Sequence, residues 1–380
     1  MKMVKKIITL LLCILMLTLT AFAKEEAAVP ETKEEVIDAT AVKVHTLSLN
    51  AAIQLALKDN PQLQACDIKK DSNEVQLNAA RLDKIAYKKV PVSMAAYDIN
   101  YVQKGYYVTL LEASIALSAK EKEQITASIS YNVTEKYFNY KLLQRLVEIS
   151  ENAYKLSLEN KTMVDSHFEM GLLSELEAKN AQISVNQTEA NLNAYKRSLE
   201  ISKEILKIEL QLDGINCDFI LTDNIDAPQF DFNIDEDIES SMSLRYDVSG
   251  LKLNYEMAKL YDEMTFEPMH TAVKANSYSK FIQSEYDYTK NSKLIALSVR
   301  NSYNEALSAK NNLEIAEKNL EIIKQGYEAD KLQFELGMIT NTALTSTLNN
   351  LASLEVNVEN TKLAYALAVK KYQYEISIGL

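Results

Sequence analysis

The sequence repeats itself, and that repeat limits the possible folds more than any single motif does. Shifted by 166 residues, two blocks align without a gap. Val133, Tyr137, Glu148, Ile149 and Glu151 fall on Val299, Tyr303, Glu314, Ile315 and Glu317. Phe168-Glu169-Met170-Gly171 falls on Phe334-Glu335-Leu336-Gly337, and Glu189, Asn191, Lys196 and Glu209 fall on Glu355, Asn357, Lys362 and Glu375. Chance likeness between helical sequences would lose register over so long a stretch, so the chain reads as one unit used twice.

Each copy reads as a long helical hairpin. The chain has five prolines, with none between Pro91 and Pro228 or after Pro268. Proline is excluded from helix interiors because it removes a hydrogen bond and clashes with the preceding turn. The first arms are expected at about 125–167 and 292–333, ending at Gly171 and Gly337, where a helix commonly needs a left-handed residue. Ser174-Glu175-Leu176-Glu177 is a capping-box signature that restarts the first copy's helix. The second copy restarts at Thr340 or Asn341. The returning arms carry apolar residues every seventh position: Ala178, Val185, Leu192, Leu199 and Leu206, then Leu344, Leu351, Val358, Tyr365 and Tyr372. That spacing makes a coiled-coil seam. Its flanking heptad position is interrupted in both copies by the same charges, Glu189/Lys196 and Glu355/Lys362. Those residues face water on the flank of the seam, or else line an aqueous lumen. Hairpins this slender must cover their apolar faces with the other copy or with another chain, which implies a homo-oligomer.

The remaining segments frame the repeats. Residues 1–23 read as a secretory signal: Lys2, Lys5 and Lys6, an apolar run Ile7–Leu19, then Ala21-Phe22-Ala23. Residues 24–46 are charged and small and read as a flexible N-terminal segment. The first repeat spans 47–214, a linker 215–236, and the second repeat 237–380. A short helix is expected over Leu47–Leu57, and another from Pro61 to about Ala86. Tyr97–Leu110 is strand-like, with a Lys104-Gly105 turn and tyrosines suited either to an interfacial belt or to packing at a bundle end. The second half's equivalent, Met269–Lys290, has no turn glycine and little alternation.

Composition excludes several classes. A net charge of -12 argues against nucleic-acid binding, which needs basic patches. His45, His167 and His270 have no metal-ligand spacing, seven scattered glycines make no phosphate loop, and no nucleophile elbow is present. The reading is of a non-enzyme with no cofactor and no metal. Cys66 and Cys217 are the cysteines left after signal removal, and the sequence leaves their pairing open.

At this point the residues resemble the TolC-like outer-membrane efflux family, over about Leu47 to Leu380. The resemblance is carried by Leu47-Ser48-Leu49…Asn60-Pro61, its echo Ser243-Leu244-Arg245-Tyr246-Asp247, the two Phe-Glu-x-Gly tips and the ending Ile376–Leu380. It implies an all-α dominated fold: duplicated coiled-coil hairpins that form an α-barrel on trimerisation, with β-hairpins in the outer membrane. These β-segments look short or missing here. It also implies a passive efflux duct whose tips meet a periplasmic adaptor and, through it, an inner-membrane pump. Carried over by position, the adaptor-contact tips are Met170, Gly171, Leu172 and Ser174, and Leu336, Gly337, Met338 and Thr340. Some members ring the closed entrance with acids after the second tip. Here those positions hold Ala343 and Ser346, and Glu177 of the first copy is left as the entrance residue. The alternative is an exported coiled-coil scaffold that has lost the membrane barrel; helix in place of strand over 92–112 and 266–290 would favour it. A pump adaptor, with one hairpin flanked by β-rich domains, fits the sequence poorly.

Overall fold

The computed structural model describes residues 43–92, 98–265 and 271–380. The secretory signal at 1–23, residues 24–42 and Tyr97 lie outside the described residues. So do His270 and the side chain of His45.

The helix boundaries reproduce the internal repeat. The first copy contains α1 (Leu49–Leu57), α2 (Pro61–Ala86), α3 (Asp98–Lys104), α4 (Tyr106–Glu169) and α5 (Glu175–Glu209). The second contains α6 (Ile234–Leu244), α7 (Tyr246–Met264), α8 (Thr271–Glu335) and α9 (Asn341–Glu375). Helices α5 and α9 are related by the 166-residue shift at both ends, as are the C-termini of α4 and α8. The fold is all-α dominated, built from duplicated long hairpins. Pro61 stands at the first turn of α2, where its missing N–H costs nothing, and the Asn60 side chain accepts from the Gln62 amide.

Helices α4 and α8 are the two long rods, 64 and 65 residues. At 1.5 Å per residue each is about 95 Å long. Shorter helices lie alongside them. Helix α4 is flanked by α2 and α5 of its own copy and by α7 and α9 of the other; α8 is flanked by α6, α7 and α9. The neighbour order is therefore α5–α4–α9–α8 near the hairpin tips and α2–α4–α7–α8 at the other end. One edge is α2 followed by α5. The other edge is α8.

The heptad stripe of the returning arms faces inward. Val185, Leu192, Leu206, Leu344, Leu351, Tyr365 and Tyr372 are all buried. Near the tips, Val164 of α4 and Ala181 of α5 pack with Tyr327 and Phe334 of α8 and Leu344, Leu348 and Leu351 of α9. A second cluster joins Leu142, Leu146 and Ile149 of α4 to Leu363 of α9. The other copy thus covers much of each hairpin's apolar face.

Three expectations are corrected. Residues 24–46 were expected to be flexible, yet Lys43–Leu47 forms a strand, β1. It pairs in parallel with β2 (Cys217–Leu221), which falls inside the expected linker. The linker also ends earlier than 236, because α6 begins at Ile234. Second, Tyr97–Leu110 is not a strand over its described part: it forms α3 and the start of α4. Gly105, at φ +83°, turns between them. Tyr101 is fully buried and stacks on Tyr261 of α7 at 4.2 Å, and its hydroxyl lies 2.8 Å from the Thr265 hydroxyl. The described tyrosines pack at a bundle end, so tertiary context overrides strand propensity. Third, the first arms start near 106 and 271, not near 125 and 292.

Those starts leave little chain for membrane strands. Only six residues, 265–270, separate α7 from α8. Two barrel-forming spans need ~9–11 residues each. Of residues 87–105 in the first copy, seven form α3. The helices on both sides of these connections agree with β-segments that are short or missing. Among the described residues, no helix is long and apolar enough to cross a membrane.

Candidate functional site: hairpin tips and open edges

Both tips close by the same backbone device. In the first, the Leu172 amide donates to the His167 carbonyl at 2.9 Å and the Gly171 amide to Phe168 at 2.9 Å. In the second, Met338 donates to Gln333 at 2.8 Å and Gly337 to Phe334 at 2.9 Å. This is the Schellman arrangement, which satisfies the last carbonyls of a helix and requires a left-handed residue. Gly171 and Gly337 supply it at φ +75° and +71°. A methyl group at either position would meet nothing within 4 Å, so the requirement is purely conformational. Gly171→Ala and Gly337→Ala are each expected to cost about 1–2 kcal/mol, the left-handed penalty for an L-residue. Thermal melts of the single variants would check this. No loss of stability would show that the tips do not adopt this turn.

The tips restart through side-chain caps. Ser174 accepts from the Glu177 amide, and Glu177 accepts in return from the Ser174 amide and hydroxyl, both at 2.9 Å. Those hydrogen bonds hold the Glu177 carboxyl below the usual carboxylate range. Its charge serves the helix start. Thr340 accepts from the Ala343 amide in the second copy, with no acidic partner. Around these turns Met170, Leu172, Leu176, Leu336 and Met338 are all more than 60% exposed. Apolar side chains held on rigid turns and left in water are expected at a contact surface.

The charged interruptions sit less uniformly than their shared register implies. Glu189 and Lys196 are exposed, whereas Glu355 and Lys362 are half-buried. Lys196 pairs with Glu151 of α4 at 2.9 Å, and Glu355 lies 3.7 Å from Lys324 of α8. Each of these pairs bridges the two arms of one hairpin.

The edges were not foreseen from the sequence, and they carry most of the exposed apolar surface. Ile68, Val75, Leu82 and Ile85 of α2 are each about 70% exposed, the first three at seven-residue spacing. Helix α5 adds Ile183, Ile201 and Ile208, and α8 presents Tyr286, Leu294, Leu297, Ile315 and Ile322, all more than half exposed. Helices α7 and α9, which lie between α4 and α8, expose no large apolar residue. An array with two greasy edges and a covered middle is an unclosed wall.

Solved structures share this fold. The CmeC outer membrane channel of Campylobacter jejuni superposes with a TM-score of 0.66 at 13% identity, over 91% of this chain and 92% of that one. The outer membrane protein VceC of Vibrio cholerae gives 0.69 at 11% identity, over 87% and 96%. The open state of the MtrE outer membrane channel of Neisseria gonorrhoeae gives 0.65 at 12%, over 94% and 97%. The chain has the TolC-like fold. No protein-family model and no curated protein matches its sequence. The likeness is therefore one of architecture. Among its described residues, no group of histidines, cysteines and carboxylates is placed to hold a metal ion. Cys66 and Cys217 are buried free thiols.

Proposed function

We propose that this chain is an exported subunit of a TolC-like envelope efflux conduit: a passive, non-enzymatic helical duct with no cofactor, assembled as a homotrimer. The observation that carries the reading is the segregation of exposed apolar residues onto α2/α5 and α8. Both edges of one open array need covering, and a head-to-tail ring of copies covers both. Three copies of the four-helix order give twelve helices around one axis. The solved neighbours described as outer membrane channels support a wall of this kind. In this reading Met170, Leu172, Leu336 and Met338 meet a periplasmic adaptor that links the duct to an inner-membrane pump, and directionality comes from that pump. Glu189, Lys196, Glu355 and Lys362 are assigned to the water-facing wall. Glu177 is assigned to helix capping, and no acidic gate is built on it.

A second reading is favoured by the short α7–α8 connection: an exported helical scaffold or interaction protein without a membrane barrel. The helix found over the described parts of 92–112 and 266–290 points the same way. The two readings share the fold and differ in the axis. Electron microscopy of the detergent-free protein separates them. Rings with an open, solvent-filled centre support the conduit; filled bundles or single rods would overturn it.

A further inference from the structure

Duplication makes the interior of one chain a template for the contact between chains. Inside the chain, α4 of the first copy packs against α9 and α7 of the second. The 166-residue shift carries α4 onto α8 and α9 back onto α5. A seam that α8 makes with the α5 of another copy would therefore repeat the seam that α4 makes with α9. Resting on the oligomeric reading above, we infer that copies of this chain join edge to edge through such a quasi-equivalent seam, with Gly326 of α8 seated against Glu175 and Lys179 at the start of the neighbouring copy's α5.

Three observations meet at this register. The exposed Ile315 and Ile322 of α8 are the counterparts of Ile149 and Leu156 of α4. Ile149 is buried against Leu363, and Leu156 packs into the core near the tips. The same apolar positions are thus covered in the first copy and bare in the second. On the facing helix, exposed Ile201 of α5 is the counterpart of Leu367 of α9, which packs against the cluster of Ile149 and Leu363. Exposed Ile183 is the counterpart of Asn349, which lines a groove with Ile149.

The third observation is a glycine. Gly326 sits inside α8, where glycine costs about 1 kcal/mol relative to alanine, and a methyl group there would meet nothing within 4 Å. Nothing among the described residues accounts for it. Its counterpart is Asn160 of α4, which is buried and donates to Asn341 at 2.9 Å and to Thr345 at 3.2 Å on α9. Moved onto α5, those two partners become Glu175 and Lys179. Larger side chains then replace Asn341 and Thr345, so the facing position must shrink. Glycine leaves the space.

Two chains, one carrying Gly326→Cys and the other Lys179→Cys, test the register when mixed and oxidised. Neither can form this bond within itself, and α5 and α8 stand at opposite edges of one chain. The expected result is a mixed covalent dimer, at least tenfold more abundant than from Glu328→Cys with Lys179→Cys, position 328 lying about 200° around α8 from Gly326. Sedimentation of the same proteins before oxidation separates the two ways to fail. An oligomer without the mixed cross-link would overturn the seam and leave the conduit reading standing. A lone chain at all concentrations would overturn both.

Discussion

Ile315→Asp combined with Ile322→Asp is expected to disperse the assembly while leaving each chain folded. Both residues are well exposed within the chain, at 58% and 68%. Substitutions at such positions usually change folding stability by no more than about 0.5 kcal/mol. Within a seam, each isoleucine would bury surface worth about 1.5–3 kcal/mol, and an unpaired carboxylate placed there adds a desolvation cost. A combined loss on the order of 3–6 kcal/mol per seam raises the dissociation constant by roughly two to four powers of ten. Sedimentation velocity with circular dichroism reads the two effects apart. Unchanged helix content with loss of the fast-sedimenting species is the expected outcome. If the double variant assembles like the parent, α8 is not an interface edge.

Arg245→Ala is expected to produce the largest loss of folding stability. Arg245 is only 4% exposed, at the break between α6 and α7. Its guanidinium donates to the Glu375 carbonyl at 2.7 Å, to the Glu375 carboxylate, and to Asp247 at 2.8 Å. The chain end closes over the same group. A methyl group at Gly379, which has φ +84°, would come within 2.9 Å of the guanidinium carbon, and the Tyr246 amide donates to the Ile378 carbonyl at 3.1 Å. Removing one member of a buried pair strands the other charge, a cost of about 3–5 kcal/mol. Urea denaturation should show the midpoint fall by the corresponding amount. A change below about 1 kcal/mol, the worth of an exposed pair, would mean that the cluster is open to water.

The parts of this fold legible in the sequence are those governed by local signals. The limits of α5 and α9 follow from a glycine, a capping residue and a heptad stripe, all within one hairpin, and the structure places Ser174 and Thr340 as caps as those signals predict. The beginnings of α4 and α8 were hidden because their aromatic and β-branched residues favour strands. Tyr101 is held in a helix by Tyr261, 160 positions away, and no window along the chain reveals that. The β1–β2 pairing of Lys43–Leu47 with Cys217–Leu221 is hidden for the same reason. The open edges are the least legible feature. Ile149 and Ile315 are the same residue at the same point of the repeat, yet one is buried and the other bare. Only the order of helices around α4 and α8 distinguishes them. The tips were found by the sequence and the edges were not, because a turn is a local structure and an edge is defined by what is missing beside it.

Sedimentation equilibrium of the signal-free chain in detergent-free buffer, across a hundredfold range of concentration, bears most directly on an array that must close through its own copies. The account predicts a mass of three chains that falls toward one only at the lowest concentrations. A single-chain mass throughout, with α2, α5 and α8 still helical, would contradict it.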